Sequence, residues 1–342
     1  MSKLLILGPL QDKHINKPGG IVVLFNDILK QLKGNKVEFK VIDTNICNYK
    51  NRWFGLLSIY FKIIFFSVKF DHISLHGTAK DYLYIAPMVT LISKIFIKKC
   101  SLRKFAGNFD TYYASSNFLS KFTLRLTLKY SDYIFFETKK LCAFFQNYNN
   151  NVFWFPNVRD IKQKSFVNKE FCEKYVFISS VKRTKGIYEI VKVFSELPNK
   201  YTIDIFGPIE DEGLNAGDIE ISENIRYRGS VDSSEVPKIL DRYNVLLLPT
   251  FHPGEGYPGV IIEAFAAGLP VITTRWNSIP EMVIDGYNGR LIDPKNFNQL
   301  KDCITEINKE YLKLSKNSYD SFVNYDSFDQ TRLFLKTIRG LS

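Results

Sequence analysis

Short runs rich in β-branched and aromatic residues alternate with longer apolar or amphipathic stretches from the first residues to about position 290. KLLILG (3–8), KVEFKVID (36–43), HISLH (72–76), CSLRKF (100–105) and DYIFFE (132–137) read as strands. The stretches between them, such as 20–34 and 115–130, are long enough for helices. That alternation predicts a parallel sheet wound with helices on both faces. WFPNV (154–158) interrupts it with a Pro-Asn turn, and a second series follows. Its strands are KYVFISS (174–180), YTIDIFG (201–207), NIRYRG (224–229), NVLLLPT (244–250) and LPVITT (269–274). Helices fit at 186–196, 233–241, 259–267 and 297–310. The chain therefore reads as two doubly wound α/β domains in tandem, 1–165 and 166–325, and 342 residues suit two such cores better than one. Ligands of these sheets sit beyond the carboxyl ends of the strands, so chemistry is expected in a cleft faced by both domains.

Charge changes the picture because it is uneven. Residues 1–165 hold 25 Lys and Arg against 10 Asp and Glu, a net +15 (25 − 10). The remainder holds 21 against 25, a net −4 (21 − 25), for the whole-chain +11. A basic first half calls for a polyanionic partner, either nucleic acid or an anionic membrane surface, and no nucleic-acid motif accompanies the charge. Five scattered cysteines fit neither a disulfide framework nor zinc spacing and point to a reducing compartment. The N-terminus runs from Met1 into a strand with no secretory signal, so a cytoplasmic protein is expected. Two stretches, 53–70 and 82–99, are nearly all apolar but carry lysines. A helix buried against the sheet is the plain reading of 53–70; a helix lying in a bilayer surface is the alternative, and a membrane span a remote third.

Three segments carry candidate chemistry. In PGEGYPGVIIEAFAAGLPVITT (253–274), Glu255 and Glu263 flank a Gly/Pro turn that opens a helix. Pro258 suits the first turn, and the amides of Gly259, Val260 and Ile261 are expected to point at a phosphate. The two glutamates suit sugar hydroxyls better than an anion. In FISSVKRTKGIYEIVKVF (177–194), Lys182, Arg183 and Lys185 crowd the loop after a strand and suit a diphosphate leaving group. In ILGPLQDKHINKPGGIVVLF (6–25), Gly19 and Gly20 close a long loop at a helix start, where backbone could meet phosphate. Solvated helix and loop ends remain the bland reading of each segment.

Together these features resemble glycosyltransferase family 4, retaining enzymes of the GT-B fold. The Glu255–Glu263 run with EAFAAGLPVITT, IPEMV (279–283) and DGYNGRLIDP (285–294) carries most of the likeness. WFPNV, VKRTKG and RYRGSVDSSEV (226–236) add to it. The resemblance implies two Rossmann-like domains facing a central cleft, with a C-terminal helix (326–342) packing back on the first domain. It implies Glu255 and Lys185 as catalytic residues, Glu255 on the donor sugar and Lys185 on the diphosphate. Glu263 falls at the ribose hydroxyls and Val231 near the base. Gly256, Tyr257, Pro258, Gly259 and Val260, with Gly19, Gly20 and Arg183, complete the donor site. It further implies metal-independent transfer without a cofactor, and no Asp-x-Asp motif is present. The expected function is transfer of a hexosyl residue from a nucleoside-diphosphate sugar to a glycan or lipid-linked acceptor in bacterial surface polysaccharide synthesis, peripherally at the inner face of the cell membrane. A sugar-nucleotide epimerase of the same fold and an inactive partner protein stay open. Two departures keep them so: Ser180 stands where the family usually has an arginine, and KFAGNFD (104–110) lacks the family's histidine. His76 could serve in its place, although a structural strand-end histidine is the simpler reading.

Overall fold

The computed structural model describes residues 3–13 and 19–340. Most of the loop that closes at Gly19-Gly20, residues 14–18, lies outside the described residues, as do positions 1, 2, 341 and 342. The chain divides into two compact units, Met1–Asp160 with Ser327–Ser342, and Ile161–Asp326.

The first unit carries β1 (Leu4–Gly8), β2 (Phe39–Asp43), β3 (His72–Gly77), β4 (Lys99–Lys104), β5 (Tyr133–Phe136) and β6 (Val152–Trp154). They form one fully parallel sheet in the order β2-β1-β3-β4-β5-β6. Period-two alternation along β1 shows how both faces are covered. Leu4 and Ile6 join one core with Leu24, Phe25 and Ile28 of helix Gly20–Gly34, and Leu5 and Leu7 join the other. Helix Ser327–Ile338 returns to the first face, where Phe334 packs among Phe135, Phe155 and His76 at centroid distances of 5.0, 5.7 and 5.6 Å.

The second unit carries β7 (Lys174–Ile178), β8 (Thr202–Phe206), β9 (Ile225–Tyr227), β10 (Val245–Leu248), β11 (Val271–Thr274) and β12 (Gly289–Ile292). Its sheet is also fully parallel, in the order β12-β11-β10-β7-β8-β9. Counted within the unit, that is the doubly wound order 3-2-1-4-5-6, with its switch point between β7 and β10.

The elements differ from the sequence reading in a few places, each with a local cause. The helix read at 115–130 is Phe118–Tyr130, its start set by the Asn117 side chain, which accepts from Ser120 N, and a separate helix, Phe109–Ser115, precedes it. The apolar run 82–99 splits into Ala79–Tyr84 and Ala86–Ile95, with Pro87 in the first turn of the latter, and its last residue opens β4. The stretch 53–70 is helix Arg52–Ser67 and three residues beyond it; the helix buries Leu56, Ile59 and Ile63, half-buries Tyr60 and Phe66, and exposes Trp53, Phe54, Leu57, Phe61, Ile64 and Phe65. Among the described residues no helix is long and apolar enough to cross a membrane. The three-residue β6 and the Gly-Asn-flanked β12 are strands that the pattern did not reveal.

His76 is fully buried at the end of β3, bonded to Ser74 Oγ at 3.0 Å and ringed by Phe25, Phe105 and Phe334. Burial holds its pKa well below the usual value, with Arg103 as a second cause. It is a neutral core histidine.

Candidate functional site

The site is built where the two halves of the second sheet diverge. After β7 the chain passes through a short 3₁₀ turn, Arg183–Lys185, to Gly186, which adopts φ +84°. A Cβ at Gly186 would lie 2.4 Å from the carbonyl oxygen of Pro249, so only glycine lets this turn lie flat against the end of β10. The two loops are stitched there: Phe251 N donates to Thr184 O at 2.8 Å, and Thr250 Oγ1 lies 3.3 Å from the same carbonyl oxygen. Switch-point topology thus brings positions 184–186 beside 249–255 although some seventy residues separate them.

The consequence is a compact polar cluster. Lys185 Nζ donates to Glu255 Oε2 at 2.5 Å, and both side chains are largely enclosed, 13% and 10% exposed. Thr250 Oγ1 donates to the same carboxylate oxygen at 2.9 Å. The loop carrying Glu255 is held from behind: Trp276 Nε1 donates to His252 O at 2.8 Å, and Asn277 Nδ2 to Glu255 O at 3.2 Å. His252 Nδ1 lies 3.2 Å from Thr184 Oγ1. Burial first, then Lys185 and Lys182, lower its pKa, so this imidazole is neutral near neutral pH.

Gly256, Tyr257 and Pro258 lead from Glu255 into helix Gly259–Ala266. Tyr257 is buried and its hydroxyl donates to Glu281 Oε2 at 2.5 Å, which fixes the turn from below. Pro258 is the residue before the helix rather than its first member, and no side chain caps that end. The amides of Gly259 and Val260 open the helix, while Ile261 N already donates to Pro258 O at 3.1 Å and is not among the free ones. A partial positive charge therefore faces the same end of the sheet as Lys185.

The remaining predicted residues fall elsewhere. Lys182 pairs with Glu210 at 2.9 Å, a bond that is the largest cause holding the Glu210 pKa below the usual carboxylate range. Arg183 lies with its guanidinium 4.9 Å over the ring of Tyr188, and its backbone N donates to Asp211 Oδ2 at 2.5 Å. Lys185 and Arg183 thus hold different partners. Val231 is half-buried in the loop after β9. Glu263 is half-buried and lines a cleft of about 390 Å³ with Lys162, Lys164, Lys169, Pro237 and Lys238. In the first unit, Gly19 and Gly20 begin helix Gly20–Gly34 with open space around both Cα atoms, so packing alone does not demand glycine there. Among the described residues no group of three or more His, Cys, Asp or Glu could hold a metal ion.

Thr250, Thr184, His252, Trp276 and Asn277 belong to the cluster, and sequence reasoning missed them. Thr250 and His252 had one available signal: they are the first polar residues after the apolar run VLLL of β10, where a switch-point ligand would lie. Trp276 and Asn277 had none.

Part of the chain is similar to known proteins. Residues 173–310, which contain the whole cluster, match the family model described as glycosyl transferases group 1. An uncharacterized glycosyltransferase of Methanocaldococcus jannaschii, MJ1178, is 38% identical over 26% of this chain and 25% of that protein. The capsular polysaccharide biosynthesis glycosyltransferase CapM of Staphylococcus aureus is 27% identical over 54% of this chain and 52% of its own length. The N,N'-diacetylbacillosaminyl-diphospho-undecaprenol alpha-1,3-N-acetylgalactosaminyltransferase of Campylobacter jejuni is 26% identical over 44% and 40%. The matches thus span between a quarter and about half of these relatives' lengths. Among solved structures, Anabaena Alr3699/HepE in complex with UDP superposes over 100% of both chains with a TM-score of 0.71 at 14% identity. At that identity the likeness shows the fold, and the fold is GT-B.

Proposed function

We propose that this protein is a retaining, metal-independent glycosyltransferase. It moves a hexosyl residue from a nucleoside-diphosphate sugar to a glycan or lipid-linked acceptor in bacterial surface polysaccharide synthesis, at the inner face of the cell membrane. The observation that carries the reading is the Lys185–Glu255 pair at the β7/β10 switch point, set beside the uncapped helix Gly259–Ala266. Support for the class of reaction comes from the group 1 match over 173–310 and from relatives whose names place them in polysaccharide and lipid-linked glycan assembly. The structural relative HepE has been solved with UDP and with UDP-glucose, which supports a nucleotide-sugar donor.

Each residue then has a physical task. The ammonium of Lys185 and the amides of Gly259 and Val260 meet the diphosphate, whose charge grows as the bond to the sugar breaks. Glu255, an acceptor twice over, receives hydrogen bonds from sugar hydroxyls; Thr250 and Asn277 hold its carboxylate and its backbone in place. Glu263 takes the ribose hydroxyls, Val231 lies by the base, and Gly19 and Gly20 offer backbone to the phosphates. The C1–O bond to the β-phosphate breaks, the acceptor oxygen bonds to C1 on the same face, and the acceptor proton passes to the departing phosphate oxygen.

The test is a panel of nucleotide sugars screened for thermal stabilisation, followed by hydrolysis and transfer assays with the best. NMR of the product then reads its anomeric configuration. Stabilisation by one nucleotide sugar and an anomer matching the donor are expected. No stabilisation by any of them, or an inverted product, would end the proposal. Interconversion of two sugar nucleotides without an acceptor would establish the epimerase reading instead.

A further inference from the structure

The first unit shows an exposed surface that the transfer chemistry does not use. Helices Arg52–Ser67, Ala86–Ile95 and Phe118–Tyr130 lie side by side on one face of its sheet, the first and third each packed against the second. Each turns one side to the common core, through Ile59 and Ile63, Val89 and Ile92, and Leu124 and Leu128. Each is also apolar on the side away from it. On the first helix Trp53, Leu57, Phe61 and Phe65 recur every four residues, and Trp53 is 75% exposed. On the third, Phe118, Phe122, Leu126 and Tyr130 repeat the same spacing, with Phe118 85% exposed. Leu91 and Ile95 fill the second, and Ile97 just beyond it is 93% exposed. Between the second and third helices runs an apolar groove of about 300 Å³, bordered by Pro87, Leu91, Phe122, Leu126 and Tyr130, with Lys94 at its edge. A patch of this extent is far from the scattered exposed residues of an ordinary soluble surface.

Charge selects the occupant. The three helices contain no Asp or Glu, yet carry Arg52, Lys62, Lys94, Lys121, Arg125 and Lys129. Lys94 is bridged to Asp132 at 3.1 Å; Arg125 lies 5.8 Å over the ring of Tyr148 and Lys129 5.7 Å over that of Tyr130, so their side chains run along apolar surface. Bulky aromatics interleaved with cations, free of any acid, complement hydrocarbon beneath a layer of negative headgroups. None of the helices can span, which leaves lying in the interface. We infer that this three-helix face seats in the headgroup region of an anionic phospholipid bilayer, with Trp53, Phe61 and Phe118 inserted and one acyl chain in the groove between the second and third helices. The inference deepens the membrane placement in the proposed function, and vesicle binding tests it independently of transfer.

Full-length protein would be sedimented with phosphatidylcholine vesicles with and without phosphatidylglycerol, at low and high salt. Binding should need phosphatidylglycerol and fade as salt screens it. Two of the cations, replaced in Lys121→Ser/Arg125→Ser, should weaken binding about 25-fold, at about fivefold each. Phe61→Ser/Phe122→Ser should also release the protein from vesicles, with unchanged thermal unfolding as evidence of intact folding. Trp53 emission should be quenched by lipids brominated on the acyl chains, and the Trp53→Phe variant, which keeps Trp154 and Trp276, should lose that quenching. Absence of vesicle binding, equal binding to pure phosphatidylcholine, or no quenching of Trp53 would each overturn the inference. So would loss of self-association in Phe61→Ser/Phe122→Ser with vesicle binding intact, which would make the face a contact between two copies.

Discussion

Lys185 donates to Glu255, and a mutation can expose the consequence for binding. If Lys185 serves the diphosphate, Glu255 competes with the ligand for its ammonium. Glu255→Ala should therefore separate two properties that most active-site substitutions lose together. The 2.5 Å bond joins two largely enclosed groups, so it lies in the range of about 1.5–3 kcal/mol for hydrogen bonds between charged partners. Lysine has three donors and can share them, so the lower end is appropriate. Removing the competitor at about 1.5 kcal/mol tightens nucleoside-diphosphate binding by roughly tenfold. Removing a negative charge near the diphosphate acts in the same direction. If Glu255 holds the sugar as it leaves, transfer should fall by on the order of 10²-fold or more. The Kd for the nucleoside diphosphate, by calorimetry, and the single-turnover transfer rate should thus move in opposite directions. Weaker nucleoside-diphosphate binding in the variant would refute competition for Lys185, and undiminished transfer would refute a role for Glu255 in catalysis.

Gly186→Ala places a Cβ at φ +84° against Pro249 O, so it should cost at least about 1–2 kcal/mol and spoil the Lys185–Glu255 geometry; a lower melting temperature with lost donor binding checks this. Arg183→Ala should weaken donor binding roughly tenfold if Arg183 leaves Tyr188 to share the diphosphate with Lys185, whereas unchanged affinity by calorimetry would mean that Ser180 simply leaves a gap. His72 is buried, bonded to Ser101 Oγ at 2.8 Å, and burial lowers its pKa from 6.5 to about 4. A depressed folded-state value gives stability that is complete above pH 6.5 and lost as pH falls towards 4, about 3 kcal/mol in all; thermal melts of wild type and His72→Gln across that window should show the variant less sensitive to acid. Phe334→Ala should destabilise the first unit by about 3–5 kcal/mol and leave donor-induced stabilisation of the second unit unchanged, as differential scanning calorimetry would show.

Ten of the twelve strands were legible: β1, β5, β7 and β10 as the continuous apolar runs that a parallel sheet covered on both sides demands, the others as short β-rich segments between helical stretches. β6 and β12 were not, because a three-residue strand before Pro156 and a strand that opens on Gly289 carry too little apolar sequence to stand out. Glu255 and Lys185 were legible as residue types after strands, but their direct bond was not, since it depends on strand order and on the turn at Gly186. The buried cations of the first unit were misleading in sequence. Arg103 and Lys104 count towards its positive charge, yet Arg103 is fully enclosed over Phe155 at 3.6 Å with its Nη2 donating to Pro156 O, and burial lowers Lys104 to about 8. The acid-free sequences of helices Arg52–Ser67, Ala86–Ile95 and Phe118–Tyr130 were present in the letters, but only the fold shows that they are neighbours.

The chain segment that completes the first unit is synthesised after the whole of the second. Helix Ser327–Ile338 supplies Phe334, Leu335 and Ile338 to a core whose other members end at Val158, so all of Ile161–Asp326 emerges from the ribosome in between. Domains otherwise fold as units during synthesis, the N-terminal one first. Here helix Gly20–Gly34 already covers part of one face of the first sheet, but the part around Phe135 and Phe155 waits for Phe334 while the second unit is made. The unfinished part of that face is the surface on which a nascent-chain chaperone would act.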